Sequence, residues 1–396
     1  MRYLDRANIS IAHGALTNSK RPESFVKGIY PTHISRSQSC YVFDEYNQKF
    51  IDYICGLGTN IFGYDNLEIR EAVTKQLRTG AVYSLSSTLE VDAADIFKGM
   101  FTFMDRLRFL KTGSEACSAA IKIARAYTGR KLILSEGYHG WHDEFVSLTP
   151  PANGVIDSGF MKHLNEKNLE NKDTIAGIIL EPVIIDHSPK RIKYLRDLRS
   201  FCDTHGIVLI FDEIITGFRW PKYCVAKQYG INPDLICLGK GIGGGLPLSI
   251  VGGRAKIMEA DYFVSSTFAG DLLSLAAGIK ACELIKSSYA IDRTWLEGRK
   301  FIDKFNQLAP KIIKIEGYPT RGIFTGRDKE KSLFFQEMCK AGVLFGPSFF
   351  FNLDLAAETH NVLNVSEWVL RKIELNQVEL TGARPLKPFA QKVRDV

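Results

Sequence analysis

Through the middle of the chain, short apolar runs alternate with segments of helical period. "IAGIILEPV" from Ile175 and "GIVLIFDEI" from Gly206 are almost unbroken hydrophobic stretches. They read as strands covered on both faces rather than as half-exposed strands with every second position polar. "KLILSEGYHG" and "DLICL" read the same way. Between them, "GSEACSAAIKIARAYTG" places Ala116, Ala119, Ala120, Ile123 and Ala124 on one helical face and ends at Gly129. "KRIKYLRDLRSFCDTHG" has a helical period that stops at Gly206, and "STFAGDLLSLAAGIKACELIK" is read as a further helix that Ser266 and Thr267 begin. Strands alternating with helices in this way predict an α/β fold built on a mainly parallel sheet. The large domain is placed at residues 46–286. Residues 1–45 look loop- and hairpin-like, and 287–396 mix helix ("WLEGRKFIDKFNQLA") with short strands. Both ends are expected to form a smaller α+β domain. No repeat of 20–50 residues is visible.

Composition narrows this picture without changing it. The 396 residues are 45% hydrophobic and 24% charged, a globular balance in a chain too long for one small core. Eight scattered cysteines form no C-x-x-C pair, which suggests reduced thiols and fits neither a zinc site nor a disulfide framework. "MRYLDRANISIAHGAL" carries Asp5 and Arg6 where a signal peptide needs an apolar stretch, so a cytoplasmic location is expected. No run approaches the roughly 18–20 apolar residues of a membrane span. The net charge of +7 could draw anionic small molecules, but no dense Lys/Arg block marks a nucleic-acid surface.

Candidate chemistry gathers at strand ends. In open α/β sheets, ligands bind beyond the carboxyl ends of the strands. Gly113-Ser114 follow "RFL", Tyr138-His139 follow "LILSEG", Asp212-Glu213 end "VLIF", and Lys240 follows "LICL". Each has an ordinary explanation: a serine caps a helix, a carboxylate ends a strand, an aromatic residue borders a core. Lys240 is the hardest to explain that way, because a buried ammonium tends to lose its proton or to find a special partner. A desolvated, neutral lysine is a nucleophile toward carbonyls. "GKGIGG" (Gly239–Gly244) formally satisfies G-x-G-x-x-G but does not open a first βα unit, and Lys240 lacks the Ser or Thr that follows a P-loop lysine. The combination suits pyridoxal 5'-phosphate, which needs a lysine for its aldehyde, an acid beside its ring nitrogen, a phosphate cup and a platform for its ring. In that reading Lys240 and Asp212 are catalytic. Gly113 and Ser114 hold the phosphate, Tyr138 and Ile214 flank the ring, and His139 lies beside them. No metal is called for.

"KTGSEACSAAIKIARAYTGR", "EGYHGWHDEF", "ILEPV", "LIFDEIITGFRW", "PDLICLGKGIGGGLPLS" and "SSTFAGDLLSLAA" resemble class III aminotransferases of the fold-type I pyridoxal phosphate enzymes. The branch they resemble is that of glutamate-1-semialdehyde aminomutase. The resemblance runs from about residue 14 to about 350, with motif order and spacing kept. It implies that Lys240 is the Schiff-base lysine, Asp212 the partner of the pyridine nitrogen, and Glu181 a residue near the cofactor. It also implies a homodimer in which Thr267 reaches the phosphate of the neighbouring subunit's cofactor. Departures fall where substrate would be held. The aminomutase's carboxylate-gripping serine and arginine are matched only by Asn18, Ser19 and Arg21 at altered spacing. The segment after "GYHGWHDEF" is short, and "FFFNLDLAAETHNVLN" replaces an alanine-histidine pair. The expected activity is therefore transfer of an amino group from an amino-acid donor to an aldehyde or ketone, sugar- or nucleotide-linked acceptors included. The alternatives are an intramolecular aminomutase and a non-catalytic binding protein on the same fold.

Overall fold

The computed structural model describes residues 1–148 and 153–385. Its chain divides into two compact units, one of Leu67–Ile291 and one of Met1–Asn66 with the described residues from Asp292 onward.

The larger unit is built on a seven-stranded sheet. Across it the order is Arg106–Leu110, Ser249–Gly253, Leu235–Leu238, Val208–Glu213, Ile175–Leu180, Leu132–Glu136 and Met161–His163. Ser249–Gly253 runs antiparallel to both of its neighbours, and the remaining pairings are parallel. Every residue of Ile175–Leu180, Val208–Glu213 and Leu235–Leu238 is buried, as the unbroken apolar runs predict. The helix Gly113–Thr128 buries the face carrying Ala116, Ala119, Ala120, Ile123 and Ala124 and ends in a left-handed Gly129. Its small residues let it lie close to the sheet, and each fully buried isoleucine adds about 1.5–3 kcal/mol. Pro189–His205 starts on a Ser188 cap and stops at Gly206. One expectation needs correcting. The helix after Ser266-Thr267 begins only at Leu272, because the Asp271 side chain, accepting from Ser274 N–H, is its cap.

The terminal unit holds two smaller sheets. Ile34–Gln38, Tyr41–Asp44 and Lys49–Asp52 form an antiparallel meander, extended by Val343–Leu344 lying parallel to Lys49–Asp52. Ile313–Tyr318, Arg321–Gly326 and Ser348–Phe350 form the other sheet. An aromatic core of Tyr53, Phe301, Phe305, Phe334, Phe345 and Phe349 fills this unit. Residues 46–66, assigned above to the large domain, belong here because the strand Lys49–Asp52 pairs with Tyr41–Asp44 and Val343–Leu344.

Candidate active site

The carboxyl ends of the parallel strands converge on a cavity of about 200 Å³. It is lined by Gly113, Ser114, Tyr138, His139, Glu181, Asp212, Ile214 and Lys240. Four separate strand ends and one helix start thus meet at one place. Cys117, Gly140 and Ile215 complete the lining.

Gly113 and Ser114 are the first two residues of their helix, where backbone N–H groups precede the first i→i−4 bond and the helix dipole favours an anion. Neither residue is the cap. Thr112 is, accepting from Glu115 N–H while the Glu115 carboxylate accepts from Thr112 N–H at 2.7 Å. The cap is thereby satisfied without Ser114, whose Oγ receives Trp141 N–H at 3.4 Å. Gly140 stands directly over that serine: a Cβ at 140 would lie 2.3 Å from Ser114 Oγ, and its φ is +118°. A Cβ at Gly113 would lie 3.1 Å from Ile214 Cγ2, so glycine keeps that wall open.

Asp212 is 5% exposed and heavily hydrogen-bonded. Its Oδ2 receives His139 Nδ1 at 2.7 Å and lies 3.5 Å from Cys117 Sγ, while Oδ1 accepts Ile214 N–H at 3.0 Å. Burial pushes the Cys117 thiol well above its usual range, so it stays protonated and donates. His139 is buried, and its Nε2 has no hydrogen-bond partner among the described residues. Its ring lies edge-on to Phe145. With Nδ1 at hydrogen-bond distance from a carboxylate that can only accept, Nδ1 carries the hydrogen of that bond. Cys117, His139 and Asp212 are residue types that could share a metal. However, 2.7 Å between Nδ1 and Oδ2 is a hydrogen-bond distance. Two ligands of a tetrahedral zinc sit about 3.3 Å apart, given bonds near 2.0–2.1 Å.

Glu181 is buried, and its Oε1 accepts Tyr138 N–H at 2.9 Å. Arg191 braces the same strand end, donating to the carbonyls of Glu181 and Pro182 and pairing with Glu136 at 2.7 Å. The backbone carrying Tyr138 is therefore fixed from beneath. Lys240 is half-buried, opens the short turn Lys240–Gly243, and sits at φ +47°, in the left-handed region. For a residue with a long side chain that conformation is strained.

Three residues singled out in the sequence do not line this cavity. Thr267 is exposed, in a turn ahead of the helix Leu272–Ser288. Ser19 lies in the short 3-10 helix Asn18–Lys20 of the terminal unit, and Arg21 follows it with a buried Nε that has no acceptor among the described residues. Conversely, Cys117, one of the eight scattered cysteines, touches Asp212. Its spacing of three residues from Ser114, on the same helix face, is the signal that could have found it.

The residues fit a pyridine-based cofactor bearing a phosphate. The cavity offers an amine, a carboxylate whose Oδ1 accepts only one N–H among the described residues, and a helix start beneath two glycines that a Cβ would crowd. The Aminotransferase class-III family matches residues 26–164 and 151–350. The chain belongs to the class-III aminotransferases, enzymes that depend on pyridoxal phosphate. Among its relatives, the glutamate-1-semialdehyde 2,1-aminomutase of Archaeoglobus fulgidus is 33% identical over 72% of each chain. That of Wigglesworthia glossinidia brevipalpis is 31% identical, covering 86% of this chain and 89% of its own. In fold, the chain matches the FumI protein of Sphingopyxis sp. MTA144 in its PLP internal aldimine form. The TM-score is 0.87 at 25% identity, over 97% of this chain and 98% of that one. The architecture is thus the α/β fold of the fold-type I transaminases. Among the described residues no helix is long and apolar enough to cross a membrane.

Proposed function

We propose that the chain transfers an amino group from an amino-acid donor to an aldehyde or ketone, with Lys240 and Asp212 as its catalytic residues. The observation that carries this is the convergence of Lys240, Asp212 and the Gly113–Ser114 helix start on one cavity. Pyridoxal phosphate, bound there, supplies an aldehyde and an electron-withdrawing ring. Gly113 and Ser114 hold its phosphate through first-turn N–H groups and a hydroxyl. Tyr138 and Ile214 clamp the ring, with Glu181 fixing the Tyr138 backbone and His139 the carboxylate of Asp212. Asp212 keeps a negative charge beside the ring nitrogen and so holds a proton on it. Lys240 Nζ would hold the cofactor through its aldehyde and, when freed by a substrate amine, would be the group that carries a proton between the substrate α-carbon and C4′ of the cofactor.

A homodimer in the cytoplasm, with Thr267 serving the partner's phosphate, belongs to the same proposal, as do Ser19 and Arg21 as carboxylate-binding residues. A second reading is an intramolecular aminomutase, and it is favoured by the names of the relatives that are 31–33% identical. The acceptor in the first reading is a small carbonyl compound, with sugar- and nucleotide-linked ones within its range.

One set of measurements separates these readings. Protein loaded with the cofactor is reduced with borohydride and digested, and the adduct is expected on Lys240. Glutamate or alanine should then bleach the visible band of the unreduced protein. If only a diamino compound bleaches it, the aminomutase reading stands. If no amine from a broad panel does so and position 240 carries no adduct, the whole assignment fails.

A further inference from the structure

We infer that Cys117 is a positioning residue for Asp212, a role that rests on the functional reading above. A carboxylate oxygen has two good acceptor directions. Oδ2 of Asp212 uses both, one toward His139 Nδ1 at 2.7 Å and one toward Cys117 Sγ at 3.5 Å. Oδ1 accepts Ile214 N–H at 3.0 Å and keeps a direction open to the cavity that Cys117 and Asp212 both line. The thiol therefore does two things. It saturates Oδ2, so that a donor entering the cavity meets Oδ1, and it adds a third donor that fixes the orientation of the carboxylate. The helix Gly113–Thr128 sets this geometry, because Ser114 and Cys117 share a face three residues apart. One rigid element thus presents the phosphate-side donors and the carboxylate-side donor together. The Cys237 thiol, on the strand Leu235–Leu238, also faces Cys117, and its own Sγ donates to the Ala116 carbonyl at 3.5 Å.

The thiol is fully buried and burial pushes it well above its usual range, which leaves it a donor across the working pH range. A serine at 117 would donate more strongly over a shorter reach. A valine would fill the same space and donate nothing.

The test uses two readouts. In the apoprotein, the infrared difference spectrum of wild type minus Cys117→Ser isolates one S–H stretch among eight. That band is expected to be shifted down and intensified relative to thiols in apolar surroundings. In the holoenzyme, Cys117→Val is expected to lower kcat about three- to tenfold with KM within about twofold, as for loss of one weak donor to a charged group. Cys117→Ser is expected to restore kcat. An S–H band at the position of an unbonded thiol overturns the inference. So does a Cys117→Ser enzyme as impaired as Cys117→Val. Either result leaves the borohydride adduct on Lys240 untouched, whereas absence of that adduct with a shifted S–H band would sink the functional reading alone.

Discussion

Gly140→Ala is the sharpest probe of the phosphate side of the cavity. The new Cβ would lie 2.3 Å from Ser114 Oγ, 2.6 Å from its Cβ and 2.8 Å from its Cα. Rotation of the hydroxyl relieves only the first contact, because the others involve the start of the helix itself. Alanine must also adopt φ near +118°, a region left almost entirely to glycine. Backbone strain of about 1–3 kcal/mol, together with overpacking of similar size, gives about 2–4 kcal/mol once partial relaxation is allowed. Either the loop or the Gly113–Ser114 turn must then leave the geometry proposed to cradle the phosphate. Restoring it on binding should raise the pyridoxal phosphate Kd between about thirtyfold and about a thousandfold. Fluorescence titration of the apoprotein reads this directly. Gly230→Ala is the control, since it puts alanine at φ +64° with nothing within 4 Å of its Cβ. It should lose stability but bind the cofactor normally. A Gly140→Ala protein with unchanged affinity, or equal losses in both variants, would refute the assignment of Ser114 to the phosphate.

Asp212→Asn removes the buried charge while keeping most of the shape. Two unit charges 4 Å apart at an effective dielectric of 20 interact by about 4 kcal/mol, so the single-turnover half-reaction should slow about a thousandfold. Near-normal turnover would remove Asp212 from its role. All eight cysteines are buried, with Cys202 and Cys339 each pushed up to about 12 by burial. A thiol reagent at pH 8 should accordingly find almost none in the native protein and eight after unfolding, and fast native labelling would contradict the packing. Glu213 is fully buried and its carboxyl is pushed up by desolvation, although Val225 N–H, Ala226 N–H and the Thr216 hydroxyl donate to it. A raised folded-state pKa contributes stability that is complete below about 4.5, the ordinary value, and lost as pH rises through the shifted one. Glu213→Gln should flatten that fall in denaturant titrations, and an unchanged slope would show that burial does not perturb this group.

Much of this was legible in the sequence because the large unit obeys short-range rules. Continuous apolar runs marked the buried strands, and Gly129 and Gly206 marked where helices end. Polar residues immediately after apolar runs marked strand termini, which is why Gly113, Tyr138, Asp212 and Lys240 could be placed together. What stayed hidden depends on contacts distant in sequence. The strand Lys49–Asp52 joins the terminal unit because it pairs with Val343–Leu344, nearly three hundred residues away. No local pattern encodes that pairing, so the boundary was drawn too early. The turn at Ser266–Gly270 was read as a helix start because Ser and Thr are good caps, but Asp271 competes and wins. Cys117 was missed because a thiol among alanines looks like filler until the strand its helix packs on is known.

The backbone at Lys240 has one more consequence. A lysine at φ +47° is held in a conformation that glycine would adopt freely. The fold therefore carries a penalty at the residue proposed to hold the cofactor. Lys240→Gly should be inert and yet melt at a higher temperature than the wild-type apoprotein, by an amount matching about 1 kcal/mol of released strain. Stability selection alone would drift this position toward glycine, so the lysine persists there against the preference of its own chain.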